Sequence, residues 1–198
     1  MDVGLVPLWL KIAYGVFVPF LIVVYWPRYG PSNFLWLSDI ALFFAAAAVI
    51  FESPLLASMP AVGVLPLEIF WTIDFFLLGR LGLTGYMFDS KYPLWLRAIS
   101  LFHLALPPTL IWMLYKFGYD PRAYPAQLAL ALVVLIICYA FTDPEKNINW
   151  VFGPGEKPQR KISPRLYFAI AVPIITLGVQ TPMHFLLSWL FGPTGILR

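Results

Sequence analysis

His103 is one of two histidines in a chain of 198 residues, and its neighbours are of the types an acid–base site uses. In AISLFHLALPPTL, residues 98–110, Ser100 precedes it by three positions and Pro107 and Pro108 follow. Two acids, Asp39 and Asp74, lie inside other apolar runs, and Asp39 follows Ser38 directly. A carboxylate held against an imidazole fixes the tautomer of the ring and raises its basicity. The ring then takes a proton from a hydroxyl, which becomes a nucleophile. Ser38 and Ser100 are the hydroxyls at hand. A plainer account uses the same residues: Ser100 back-bonds to its own helix, and His103 is a polar group satisfied by its neighbours. The choice depends on whether the elements carrying Ser38, Asp39, Asp74 and His103 bring them together.

Bulk composition says what those elements are. Of all residues 61% are hydrophobic and 12% charged, and the mean hydropathy is +0.80. A soluble domain of this size carries about 25% charged residues, so the chain reads as a polytopic membrane protein. Lipid offers the backbone no hydrogen-bond partner, which leaves helices or a closed barrel. The apolar runs are continuous rather than alternating, which selects helices. The expected fold is all-α, a single domain over 1–198, built as a bundle of six transmembrane helices. The spans fall at 5–26, 34–52, 61–79, 94–117, 126–142 and 165–191, each near the ~20 residues that a ~30 Å hydrocarbon core requires. Residues 53–60 read as an interfacial segment or a turn, and the 143–164 loop as the largest polar piece.

Other features narrow the class. A single cysteine, Cys138, allows no intrachain disulfide, and no zinc-ligand spacing occurs. The opening residues MDVGLVPLWLKI lack a basic leader and a small-residue cleavage site, and read as the start of the first span. A net charge of +3 is no nucleic-acid signature, and no nucleic-acid partner is expected. Its distribution is informative: Arg28, Arg80, Lys91, Arg97 and five more basic residues between 146 and 165 fall on one side of the six spans. Lys11, Lys116, Arg122 and Arg198 fall on the other. The positive-inside rule then places the 1–2, 3–4 and 5–6 loops in the cytoplasm and both termini outside, in the cytoplasmic membrane of a bacterium. Trp26, Trp36, Trp95, Tyr115, Tyr139 and Trp189 lie near span ends and read as interfacial anchors.

With those directions, Asp39 and Asp74 each lie about 8 Å deep from the cytoplasmic side and His103 about 14 Å. Charged groups at such depth face a bundle interior and mark function. Pro107 and Pro108 leave the carbonyls of His103 and Leu104 without helical partners, so a kink is expected there, with room for a small polar cavity. Glu68 reads as a structural acid or as part of that cavity. His184 belongs toward the outer side, remote from His103, as an interfacial or capping group; a break at Pro182 would instead gather it with Gln180 and Glu52. Asp89 caps or pairs with Arg97, and Asn147–Asn149 is turn chemistry. His103 and His184 at different depths speak against a metal pair.

The order LSDIALF at 37–43 and then LFHLALP at 101–107 resembles a superfamily of membrane proteins that includes the androgen-induced intramembrane lipid hydrolases and a related group of integral-membrane acyltransferases. The resemblance implies Ser38 at the nucleophile position, where those groups carry threonine or cysteine, Asp39 as the following acid and His103 as the catalytic histidine. The expected activity is a membrane-embedded hydrolase or acyl transferase acting on a lipid ester. Ser38 would attack, His103 would serve as base, and Asp39 or Asp74 would orient the ring. No cofactor is needed, and membrane lipids are the partners. The alternative is a non-catalytic accessory subunit of a larger membrane complex, or a lipid- or pigment-binding protein, with protein partners. A proton-coupled relay through Asp39, Asp74, Glu68 and His103 is a third class.

Overall fold

Long apolar runs satisfy their own backbone by coiling, and this chain does so. The computed structural model describes residues 5–155 and 157–197, and every regular element among them is helical. The helices are α1 (Leu8–Tyr29), α2 (Leu37–Phe51), α3 (Pro54–Phe76), α4 (Leu94–Ile99), α5 (Phe102–Phe117), α6 (Ala123–Phe141), α7 (Pro164–Pro173) and α8 (Gln180–Phe191). A π-helical turn, Ile174–Val179, joins α7 to α8. Five paths are long and apolar enough to cross a membrane: α1, α3, Leu94–Phe117 through α4 and α5, α6, and Pro164–Phe191 through α7 and α8. The protein is a helical membrane protein on this composition. The expected second span is shorter than read, because α2 has 15 residues, about 22 Å at the α-helical rise.

Local chemistry explains where the helices begin and end. Ser53 Oγ accepts from Leu56 N at 3.3 Å, and Pro54 holds the first helical position. This serine–proline start makes residues 54–60 the opening turns of α3, not the expected interfacial segment or turn. Glu52 closes α2 in the left-handed region, with φ 52°. Its carboxylate then accepts from Lys11 Nζ at 2.7 Å, Leu5 N at 2.9 Å and Val6 N at 3.2 Å. The lysine and these amides hold the Glu52 carboxyl below the usual range.

Those contacts tie the start of α1 to the end of α2. At the same end Asp120 N donates to Ser58 Oγ at 2.9 Å and Tyr119 N to Phe191 O at 2.7 Å. The loops at 30–36, 77–93 and 142–163 gather at the opposite end, where they line one cavity. Successive paths therefore alternate in direction.

The centre of the bundle is α3. Ala57–Leu65 is buried all round, and Ala41, Ala45 and Ala48 of α2 form a small-residue stripe that lets that helix close on it. From α5, Leu106, Leu110, Met113 and Leu114 are fully buried. Between helices in lipid such packing acts through close van der Waals contact.

The expected kink at Pro107–Pro108 is not where the fourth path is interrupted. α5 runs through both prolines, whose fixed φ is itself helical; Thr109 Oγ1 bonds Ala105 O at 2.8 Å. The interruption comes earlier, at Ser100–Leu101, where His103 N bonds Ser100 O at 3.2 Å and Leu104 N bonds Leu101 O at 3.0 Å. This tight i to i+3 turn sets the entry of His103 into the bundle.

Candidate active site

The cavity between the three gathered loops encloses about 420 Å³, within the ~300–1,000 Å³ of small-molecule sites. Ser38, Asp39, Glu68, Ser100 and His103 all border it. Asp74 does not. Its carboxylate accepts from Leu81 N at 2.6 Å, Leu83 N at 2.8 Å, Thr84 N at 2.7 Å and Thr84 Oγ1 at 2.9 Å. It thus folds the loop after α3 back on itself, and Gly79 at φ 75° makes the reversal. A Cβ at Gly79 would lie 3.0 Å from the Gly85 backbone. The reading of Asp74 as an orienting acid for His103 is corrected: both of its oxygens are committed to this loop.

The acid that meets His103 is Glu68. Its Oε2 lies 2.7 Å from His103 Nδ1, with both side chains largely shielded from solvent. Trp71, one turn along α3, stacks on the imidazole at 4.6 Å and 22°, and Phe102 lies against it at 4.0 Å between centroids. The ring is thus fixed in plane and in the direction of one nitrogen. An ionised Glu68 can only accept, which would make Nδ1 the donor of that pair and leave Nε2 outside it. Asp39, buried at 3% exposure, lies within electrostatic range of both His103 and Glu68.

Ser38 and Asp39 stand in the first turn of α2, which residues outside that helix hold in place. Asn33 Nδ2 donates to Asp39 Oδ2 at 3.1 Å. The first turn of α2 has no side-chain cap of its own; Asn149 Oδ1 accepts from Leu37 N at 2.9 Å, and Asn149 Nδ2 donates to Leu35 O at 2.7 Å. Asn149 stands at φ 53°, a conformation asparagine tolerates better than most residues. Asn147 steadies it from within the loop, accepting from Phe152 N at 2.9 Å and donating to Gly153 O and Gly155 O at 2.8 Å. The Asn147–Asn149 segment is turn chemistry as expected, and it also caps α2. Ser100 Oγ pairs with Tyr25 Oη at 3.1 Å, so it is not a free hydroxyl. Ser38 Oγ has no hydrogen-bond partner among the described residues. In the loop before α4, burial pushes the Tyr86 phenol up to about 12, which keeps a neutral O–H at the cavity wall.

The chain matches no family model, no curated protein and no solved structure.

The remaining readings divide. His184 lies outside this cavity: its Nδ1 meets Tyr119 Oη at 2.8 Å and Tyr124 stacks on it at 4.7 Å. Glu52 pairs with Lys11 and does not join His184. Gln180 is fully buried with both amide atoms unpartnered among the described residues. Asp89 bonds Lys91 N at 2.9 Å, whereas Arg97 Nη1 donates to Met87 O at 2.7 Å, so the expected Asp89–Arg97 pair does not form. Trp26, Trp95, Tyr115 and Trp189 are exposed, as anchors would be. Trp36 borders the cavity and Tyr139 stacks on Phe152 and Phe168; these two pack inward. No group of three or more metal-type ligands occurs among the described residues.

Proposed function

We propose that the protein is a membrane-embedded hydrolase or acyl transferase acting on a lipid ester. The observation that carries this reading is the 2.7 Å Glu68–His103 pair on the wall of a cavity that Ser38 also borders. The resemblance to intramembrane lipid hydrolases and acyltransferases implies Ser38 and His103 as the reacting pair; in this proposal Glu68 takes the orienting role expected of Asp39 or Asp74.

In this reading His103 Nε2 takes the proton of Ser38 Oγ as the oxygen attacks the ester carbonyl carbon. Glu68 stays ionised, holds Nδ1–H and stabilises the imidazolium, as the acid of a triad does. Asp39 lies within electrostatic range of the same ring. The tetrahedral intermediate collapses by expelling the alcohol, which takes the proton from His103. Water, or the hydroxyl of a second lipid, then attacks the acyl-Ser38 ester by the same route and frees the serine.

The topology belongs to the proposal as well. α2 completes six crossings, the three cavity loops face the cytoplasm, both termini lie outside, and the membrane is the cytoplasmic membrane of a bacterium. The exposed Lys146, Lys157, Arg160 and Lys161 near the cavity end suit anionic headgroups on that face.

A serine-directed fluorophosphonate tests the chemistry. The expected result is covalent labelling of Ser38, absent in Ser38→Ala and slowed by ~10²–10⁴-fold in His103→Gln, which leaves Glu68 a hydrogen-bonding neighbour. Labelling that persists undiminished in both folded variants would sink the reading.

A further inference from the structure

A second concavity lies where α3 meets the π-helical turn and α8. It encloses about 330 Å³ and is bordered by Pro66, Gly178, Val179, Pro182, Met183 and Leu186. Every one of these residues is apolar. Gly178, Pro182 and Leu186 recur at intervals of four and are all exposed, so they form one outward stripe. Val179 borders this seam and the main cavity alike. Leu67, beside Pro66, and Ile175, one turn before Val179, border the main cavity. Val179 is thus the residue that seam and cavity have in common.

Gly178 puts no side chain into the seam. A Cβ built there meets nothing closer than 4.0 Å, so the glycine is not forced by a close helix contact. The π turn widens the helix at this point. Both helices bordering the seam belong to membrane-length paths, where an apolar groove offers water no partners and is bathed in hydrocarbon.

We propose that this seam is a lateral portal in which the acyl chain of a membrane lipid lies, passing Val179 to reach the Glu68–His103 cavity. The proposal rests on the membrane reading and on Val179 bordering both seam and cavity. It does not depend on acyl transfer: a protein that binds the lipid without cleaving it would use the same portal.

The test reconstitutes the full chain in nanodiscs of phosphatidylcholine carrying a diazirine midway along one acyl chain, followed by photolysis and peptide mapping. Val64 is 2% exposed and borders the cavity, so a chain reaches it only from within. Labels are expected on Val64 and Ile175 as well as on Val16 and Val23, which are exposed on α1. Gly178→Phe is expected to abolish the Val64 and Ile175 labels and leave those on α1, with Gly178→Ala unchanged. Met183→Trp, which obstructs the seam from α8, repeats the test should Gly178→Phe not fold. Labels confined to α1 in the unmodified protein overturn the portal, as do Val64 labels that survive a folded blocking variant. Loss of fluorophosphonate reactivity bears on the catalytic reading alone.

Discussion

Glu68 and Asp74 stand six positions apart on α3, are buried to 3% and 0% exposure, and do opposite things. Six positions turn a helix by about 240° beyond a full revolution, so the two carboxylates leave α3 in different directions. Glu68 meets His103; Asp74 binds the loop that follows its own helix. Depth along the membrane normal grouped Asp74 with Asp39 and His103 and left Glu68 aside, because depth says nothing about azimuth. Val64, Leu67, Glu68 and Trp71 border the cavity at i, i+3, i+4 and i+7. Asp74 lies one turn past Trp71, at the end of α3, where the amides of the following loop take its carboxylate. The expected outcome follows from this division. Asp74→Ala removes four hydrogen bonds to a carboxylate and should cost about 3 kcal/mol or more. It should thus lower the thermal midpoint in detergent while the folded fraction keeps its reactivity toward fluorophosphonate. His103→Gln should do the reverse.

At the scale of elements, the start of α2 depends on a residue more than a hundred positions away. Asn149 supplies the cap that Trp36, the residue at the cap position, lacks. Asn149→Ala strands the amide of Leu37 and the carbonyl of Leu35, both previously paired with it. The expected loss is about 1–3 kcal/mol, read as a lower unfolding midpoint, with slower labelling of Ser38 because its helix turn is no longer held. Substitution of Asn33, whose side chain bonds only Asp39 among the described residues, should leave the midpoint nearer its original value. The segment's asparagines did announce turn geometry. Their partner was illegible, since a turn residue's free amide can serve any neighbour that tertiary packing brings. Helix interiors were the reverse case: the 94–117 boundaries follow from apolar length alone and coincide with the path through α4 and α5. The break inside that path was misplaced because proline was taken as its cause. The tight turn at Ser100 has no proline in it, and Pro107 and Pro108 fit helical φ.

For the whole molecule, the alternation of helix directions gathers three loops and the cavity at one end, and the termini-side contacts of Glu52, Ser58 and Phe191 at the other. The alternation was legible from the order of the apolar runs, although α2 is shorter than the run that announced it. The proposed orientation makes Lys157→Cys cytoplasmic and Thr194→Cys external. A membrane-impermeant maleimide should label Thr194→Cys in intact cells and Lys157→Cys only in inside-out vesicles. The opposite pattern would reverse the topology.

That experiment needs no removal of the native cysteine, because Cys138 is fully buried. Its position has a further use. Asn149 Nδ2, besides capping α2, lies 3.4 Å from Cys138 Sγ, so the only thiol in the chain is sealed beneath the residue that pins the loop to the cavity rim. A small permeant alkylating agent consumes it only when that loop lifts, and when reclosing is fast the rate of consumption measures the free energy of the opening. The molecule thus carries its own clock for how often its cavity comes apart.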